Sequence, residues 1–323
     1  MFCFFNFPQY VALKEYHAAI SRMVQKLSRF PGVVSIFQIG SISTPGISDI
    51  DLLIVFEDKV KCDLNPLESL RKSERYFFTH ELYGVSVSSF LNAQMYTFFH
   101  NYKLLWGQDL LSINSCILSG DAISDLKIQT ALEYLIKMLI NMTIKYNYKI
   151  FNIRSLMLHV KALVYDLEFL NVTSGPLYDL VYKMVEWRTT WFENPPSKQQ
   201  LSFWIREFND ALSFFLEKTL SYYRLYINHN SNIRLIRNVT ISPSNRFYYT
   251  HRGLILPGIF GKLSKKYVNL QHRFNEFTFY VPTTHENIPD IIKRRFDFIR
   301  IMTCENKNNF TYFMPLFSHL NVY

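Results

Sequence analysis

The sequence predicts an α/β (α+β) chain in three parts: an N-terminal domain built on a small mixed sheet over residues 1–118, a helical domain over 119–230, and a small basic α+β domain over 231–323. Three observations predict it. Before Gly120, helix-spaced and strand-like apolar runs alternate. Beyond Gly120, apolar residues recur at helical spacing through long runs. After the polar joint "NHNSNIRL", runs rich in β-branched and aromatic residues take over.

Taken in order, Tyr10 to Leu27 is expected to be helical, because Ile20, Met23, Val24 and Leu27 form one apolar stripe. "FPGVV" ends that helix, and Val33 to Ile39 reads as a strand. The loop "GSISTPGIS" leads to a second strand, roughly Asp49 to Phe56. "SERYFFTHELYGVSVSSFL" reads as a hairpin turning near Tyr83-Gly84, since Val85, Val87 and Ser89 alternate with Ser86, Ser88 and Phe90. In the helical part, Ala131, Leu135, Met138, Leu139 and Met142 make one stripe, and Leu156, Val160, Leu163, Leu167 and Leu170 another. Ser197 and Gln200 in "NPPSKQQLSFW" have the spacing of a capping box, so a helix starts there. "IRLIRNVTIS", "RFYYTHRGLILPG" and "EFTFYVPTT" read as strands, and a last helix is expected from about Ile288 to Ile301.

The composition is that of a folded protein: 323 residues, 49% hydrophobic and 17% aromatic, suffice for two or three packed domains. The cysteines Cys3, Cys62, Cys116 and Cys304 lie far apart with no CxxC pair, which argues against a zinc ribbon, a redox motif or a disulfide framework. "MFCFFNFPQY" lacks the basic start of a signal peptide, and no run reaches the ~18 apolar residues of a membrane span. A cytoplasmic protein with no membrane partner is expected. The net charge of +9 is uneven. Residues 1–232 hold 22 Lys+Arg and 21 Asp+Glu, whereas residues 233–323 hold 13 and 5. The excess positive charge therefore sits near the end of the chain.

The chemistry is concentrated in "IFQIGSISTPGISDIDLLIVFED", Ile36 to Asp58. Strand side chains alternate, so Asp49 and Asp51 face one way while Ile50 and Leu52 face a core. Two adjacent carboxylates at the lip of an apolar sheet repel one another unless one is protonated or a cation lies between them. A hard divalent ion such as Mg²⁺ suits oxygen ligands and leaves positions open for phosphate oxygens. Gly40 and Ser41 end the preceding strand, where a glycine lets an anion approach and the N–H and hydroxyl can hold phosphate. Metal on one side and phosphate on the other describe a phosphoryl- or nucleotidyl-transfer site.

This arrangement of strand, Gly-Ser, short loop and Asp-hydrophobic-Asp resembles the DNA polymerase β-type nucleotidyltransferase superfamily over about the first 115 residues. The resemblance implies a nucleotidyltransferase-like catalytic domain followed by a helical domain, as in small-molecule adenylyltransferases. It implies that Gly40 and Ser41 bind the triphosphate of an NTP and that Asp49 and Asp51 hold Mg²⁺ or Mn²⁺. "YKLLWGQDLL" (Tyr102–Leu111) looks like the segment that closes the catalytic domain in those enzymes. Two departures stand out. The loop between Ser41 and Asp49 is only seven residues long, and the family's third carboxylate, which serves as a base toward the acceptor hydroxyl, has no counterpart in "GVSVSSF", where Ser86 and Ser88 stand instead. Glu81 in "THELYG" is the nearby candidate substitute, or else an exposed hairpin residue. A helical-domain cation reaching the phosphates would be Lys161, with Arg154 near the same face. His80 and His100 show no metal-ligand spacing and read as packed or surface histidines.

"GKLSKKY" (Gly261–Tyr267) and "IIKRRFDFIR" (Ile291–Arg300), with Tyr248, Tyr249, Phe277, Phe279 and Tyr280 among or beside them, suit a nucleic acid or another polyanion, or else form an ordinary aromatic core under surface lysines. The functional expectation is a metal-dependent nucleotidyltransferase moving NMP from an NTP to a hydroxyl of an unidentified acceptor, a small molecule first and a nucleic-acid end second. The alternative is a catalytically degenerate nucleotide-binding or nucleic-acid-binding module.

Overall fold

The structure, a computed structural model, describes residues 2–98, 101–111, 118–256, 265–317 and 320. From the N-terminus its elements are β1 (Cys3–Phe5), α1 (Leu13–Leu27), β2 (Val33–Ile39), β3 (Asp51–Phe56), a 3₁₀ turn (Glu74–Tyr76), β4 (Leu82–Ser86), α2 (Val87–Ala93) and β5 (Tyr102–Gly107). Then come α3 (Gly120–Tyr148), β6 (Ile150–Asn152), α4 (Ile153–Phe169), α5 (Pro176–Thr190) and α6 (Lys198–Tyr222). The rest is β7 (Leu225–Tyr226), β8 (Ile233–Ile236), β9 (Val239–Ser244), β10 (Tyr248–Gly253), α7 (Lys265–Phe274), β11 (Asn275–Thr284), α8 (Asp290–Asn309) and β12 (Phe313–Met314). No helix among the described residues is long and apolar enough to cross a membrane.

These elements form two compact units. One comprises Gln9–Gly120 with Arg294–Ser318; the other comprises Met1–Pro8, Asp121–Lys293 and His319–Tyr323. The boundary within α8 was invisible to a reading that follows composition along the chain.

The first unit is built on a mixed sheet of order β12-β4-β3-β2-β5. β3 runs antiparallel to β2 and parallel to β4, and β12 adds in parallel beyond β4. Leu52 through Phe56 are all buried. A strand covered on both faces reads as an unbroken apolar run, which explains "LLIVF". On one face, Leu52, Ile54 and Phe56 join Tyr16, Ile20, Met23 and Leu27 of α1 in a single core. On the other, Phe37 stacks against Phe90 of α2 at 5.3 Å.

The expected hairpin at Tyr83-Gly84 is not present. β4 pairs in parallel with β3, Leu53 opposite Tyr83, and leads directly into α2. Ser86 decides the switch: its hydroxyl caps α2 by accepting the Ser89 N–H at 3.3 Å. Gly84 is a mid-strand residue whose missing side chain admits Phe313; an added Cβ would stand 2.7 Å from the Phe313 Cβ.

In the second unit, α3 to α6 carry the expected stripes. Leu135, Met138, Leu139 and Met142 are buried, as are Leu156, Val160, Leu163 and Leu167. The Ser197–Gln200 capping box starts α6. A sheet of order β10-β11-β9-β8 follows, with β7 also pairing with β11, and β1 pairs in parallel with β6. The mixed α/β class therefore holds, with helices and strands of both units as stated.

Candidate active site

Asp51 opens β3, and the pairing of Ile39 with Asp51 places Gly40 and Ser41 at the same end of the sheet. Asp49 lies two residues before the strand, and buried Ile50 anchors the segment by donating its N–H to the Phe77 carbonyl at 2.9 Å. The loop before it is tied from α1. The Tyr16 hydroxyl donates to the Ser48 carbonyl at 2.8 Å and accepts the Gly46 N–H at 2.9 Å. Tyr76 donates its hydroxyl to the Gly46 carbonyl. The short loop is therefore held by buried or half-buried tyrosines, which fixes where Asp49 stands. Tyr16 belongs to the same helical stripe as Ile20 and Met23, so its burial was legible, but its polar contacts were not.

The third member of the group is His80. Its Nε2 lies 2.8 Å from Asp51 Oδ1, and its Nδ1 lies 2.6 Å from the Glu81 carbonyl. Donor atoms of Asp49, Asp51 and His80 all lie within 4.8 Å of one another. The structure thus brings His80, expected as a packed or surface histidine, beside both aspartates. The histidine and its carboxylate are separated by a crossover, so no short spacing announces them. Glu81 is exposed and contributes its backbone carbonyl to His80. Among the described residues, His80 completes the group and no further carboxylate joins it. His100 lies outside the described residues.

The electrostatics follow from this contact. Burial pulls His80 toward its neutral form. The neighbouring Asp51 carboxylate, the Glu81 carbonyl and the charge of Asp49 outweigh that and push it up to about 9. The contact is nevertheless an ion pair without a well-aimed hydrogen bond. Asp51 Oδ1 is shielded from solvent and accepts no hydrogen bond of normal direction. Thr79 donates its hydroxyl to Asp49 Oδ2. Burial and the two aspartate charges together hold the Tyr83 phenol well above its ordinary value.

The donor set fits a divalent ion. Two carboxylates and an imidazole converge, and one shielded carboxylate oxygen lacks a directed partner. The oxygen ligands suit Mg²⁺; the His80 Nε2, once it gives up the proton it holds against Asp51, would shift the preference toward a borderline ion such as Mn²⁺.

Of the remaining expected residues, Gly40 and Ser41 share the sheet end of Asp51. Gly40 adopts φ +71°, and a Cβ there would meet nothing within 4 Å, so its environment is open. Its N–H already donates to the Asn101 carbonyl at 2.9 Å, which leaves the exposed Ser41 as the unencumbered donor of the pair. Ser86 caps α2, and Ser88 donates both its N–H and its hydroxyl to Asp58. These serines thus do structural work at the helix start, and the Ser88 hydroxyl is the main cause of the lowered Asp58 pKa. Lys161 belongs to the second unit, where its Nζ bonds the Tyr165 hydroxyl at 2.9 Å and sits over that ring. Arg154 is buried on the same helix. Within the expected closing segment Tyr102–Leu111, Tyr102–Gly107 forms edge strand β5 against β2. In "IIKRRFDFIR", Arg295 is buried rather than solvent-facing. Gly261–Ser264 of "GKLSKKY" lies outside the described residues.

No family model matches this chain, and no curated protein matches it. Among solved structures, a spectinomycin adenyltransferase from Enterococcus faecialis, determined with ATP and spectinomycin, is similar at a TM-score of 0.34 and 13% identity. The likeness covers 62% of this chain and 99% of that one. A likeness of that size carries no argument about this chain.

Proposed function

We propose that this chain is a divalent-metal-dependent nucleotidyltransferase of the DNA polymerase β type, moving NMP from an NTP to an acceptor hydroxyl. One observation carries the reading: the donor atoms of Asp49, Asp51 and His80 lie within 4.8 Å of one another where Gly40 and Ser41 leave the neighbouring strand. A bound Mg²⁺ or Mn²⁺ would neutralise the carboxylates and polarise the phosphate oxygens of the NTP. Asp49 and Asp51 hold the ion, His80 supplies the third donor, and Ser41 offers its hydroxyl to the triphosphate. Tyr16 keeps the intervening loop in place. A small-molecule acceptor remains the first choice and a nucleic-acid end the second.

The test is incubation with labelled NTPs and Mg²⁺ or Mn²⁺, with and without candidate hydroxyl acceptors. Release of pyrophosphate and a nucleotidylated product, both lost in Asp51→Asn, support the reading. Nucleotide binding with no turnover across the acceptor panel would count against it.

A second reading has its own observation. The His80 imidazolium against Asp51 and the Thr79 hydroxyl on Asp49 already relieve the crowded carboxylates from within the chain. In a degenerate nucleotide-binding module these internal partners would stand in for the ion. Isothermal titration with Mn²⁺ separates the two: a module of this kind takes up no Mn²⁺ at the site.

A further inference from the structure

From Lys218 to Asn275 the chain carries ten Lys and Arg and not one Asp or Glu. The first 232 residues are nearly balanced, so this is a local field of one sign. The same stretch supplies β8, β9 and β10, which with β11 form the sheet of the second unit.

That sheet has two different faces. Val239, Ile241, Phe277, Phe279 and Val281 are buried on one. Strand register defines the other, because directly paired residues share a face. Tyr248 and Ser242 both pair with Tyr280; Thr250 and Thr240 both pair with Thr278; Arg234 pairs with Thr240; and Arg252 pairs with Glu276. The result is a surface of tyrosines, hydroxyls and two arginines, with Glu276 its one acid. The Tyr248 and Tyr280 rings stack at 4.2 Å and 8°, and Tyr248 is 46% exposed, which leaves an aromatic plane open to a further ring. At the Ser244–Pro282 end of the strands lies a cleft of about 340 Å³, lined among others by Arg224, Asn230, Asn245, His285 and Glu286.

We infer that this open sheet face binds single-stranded nucleic acid. Unpaired bases stack on the Tyr248–Tyr280 platform, and Arg252, Arg234 and Arg224 of the adjoining cleft meet the phosphates. Charge selects a polyanion, and stacked rings on a flat sheet select one with exposed planar bases rather than a duplex, whose bases are hidden. The assignment rests on the second unit alone and does not depend on the metal site of the first. It also moves the nucleic-acid expectation from the lysine-rich segments to the sheet.

Fluorescence anisotropy of the full chain with labelled oligo(U) and oligo(dT) of about 20 nucleotides tests it, at roughly 50 and 200 mM salt. The unaltered chain is expected to bind both, with affinity falling steeply as salt rises. Tyr248→Ala with Tyr280→Ala should weaken binding about tenfold or more, whereas the paired phenylalanine changes should retain it. Arg252→Ala should weaken all sequences alike and reduce the salt slope by about one, which keeps the test informative if the alanine pair fails to fold. Wild-type affinity in a folded alanine pair overturns the proposal. So does binding heparin or duplex DNA as tightly as the single strands, or an unchanged salt slope in Arg252→Ala.

Discussion

His80 Nε2 stands 2.8 Å from Asp51 Oδ1, an approach between a residue after the crossover and the first residue of the central strand β3. It turns a pair of aspartates into a three-donor group. If this group holds a divalent ion as proposed, replacing either aspartate should weaken its binding. Asp49→Asn and Asp51→Asn are each expected to weaken Mn²⁺ binding about tenfold or more, on the scale at which a lost charged ligand or supporting partner acts. Electron paramagnetic resonance of free Mn²⁺ reads this directly. Unchanged binding in both variants would remove the aspartates from the site.

The imidazole donor should also set which ion is preferred. A nitrogen ligand favours Mn²⁺ over Mg²⁺. His80→Ala is expected to bring the two affinities closer together, mainly by weakening Mn²⁺. A Mn²⁺/Mg²⁺ ratio that does not move in calorimetric competition would place His80 outside the coordination shell.

Tyr16 should link fold to site. Its hydroxyl satisfies both the Gly46 N–H and the Ser48 carbonyl, and Tyr16 is completely buried. Tyr16→Phe leaves those backbone groups without this partner and is expected to cost about 1–3 kcal/mol. Mn²⁺ affinity should fall with it, because the loop carrying Asp49 loses its tie. A variant that loses stability but keeps the wild-type metal affinity would show that the loop is held by other contacts.

The joining of residues 294–318 to the first unit is testable at Phe310. Its ring stacks on Phe56 at 4.6 Å and 19°, and it is fully buried. Phe310→Ala is expected to cost about 3–5 kcal/mol by urea unfolding. A loss below about 1 kcal/mol would mean that this segment does not seal the sheet.

Glu74 gives a dependence on acid. Burial pushes its carboxyl up, but the Arg71 N–H at 3.0 Å and the Arg22 ion pair outweigh that and hold it below the ordinary value. A carboxyl depressed in the fold stabilises it above the unfolded value, about 4.3. That stability is lost as pH falls through the lower, folded value. Urea midpoints taken between about pH 6 and about pH 3 should therefore fall more for the wild type than for Glu74→Gln. Equal falls would show that the pair contributes nothing.

Much of the first unit was legible because the signals were local. The strand Val33–Ile39 and the Asp-Ile-Asp entry to "LLIVF" are short patterns whose physics is contained in neighbouring residues. The hairpin at Tyr83-Gly84 misread a strand followed by a cap. Alternation in "GVSVSS" and a glycine mimic a turn, and only Phe313 lying on Gly84 and the Ser86 cap show otherwise.

By itself, the sequence determined the mixed α/β character, the helical stripes, the capped start of α6, the paired aspartates and the basic, acid-free stretch, since each depends on spacing or charge within a few turns of chain. Tertiary structure decided that His80 meets Asp51, that Gly40 spends its amide on Asn101, and that residues 294–318 complete the first unit. Those facts depend on which strands lie side by side. Parallel crossovers bring together residues whose separation along the chain has no period to read.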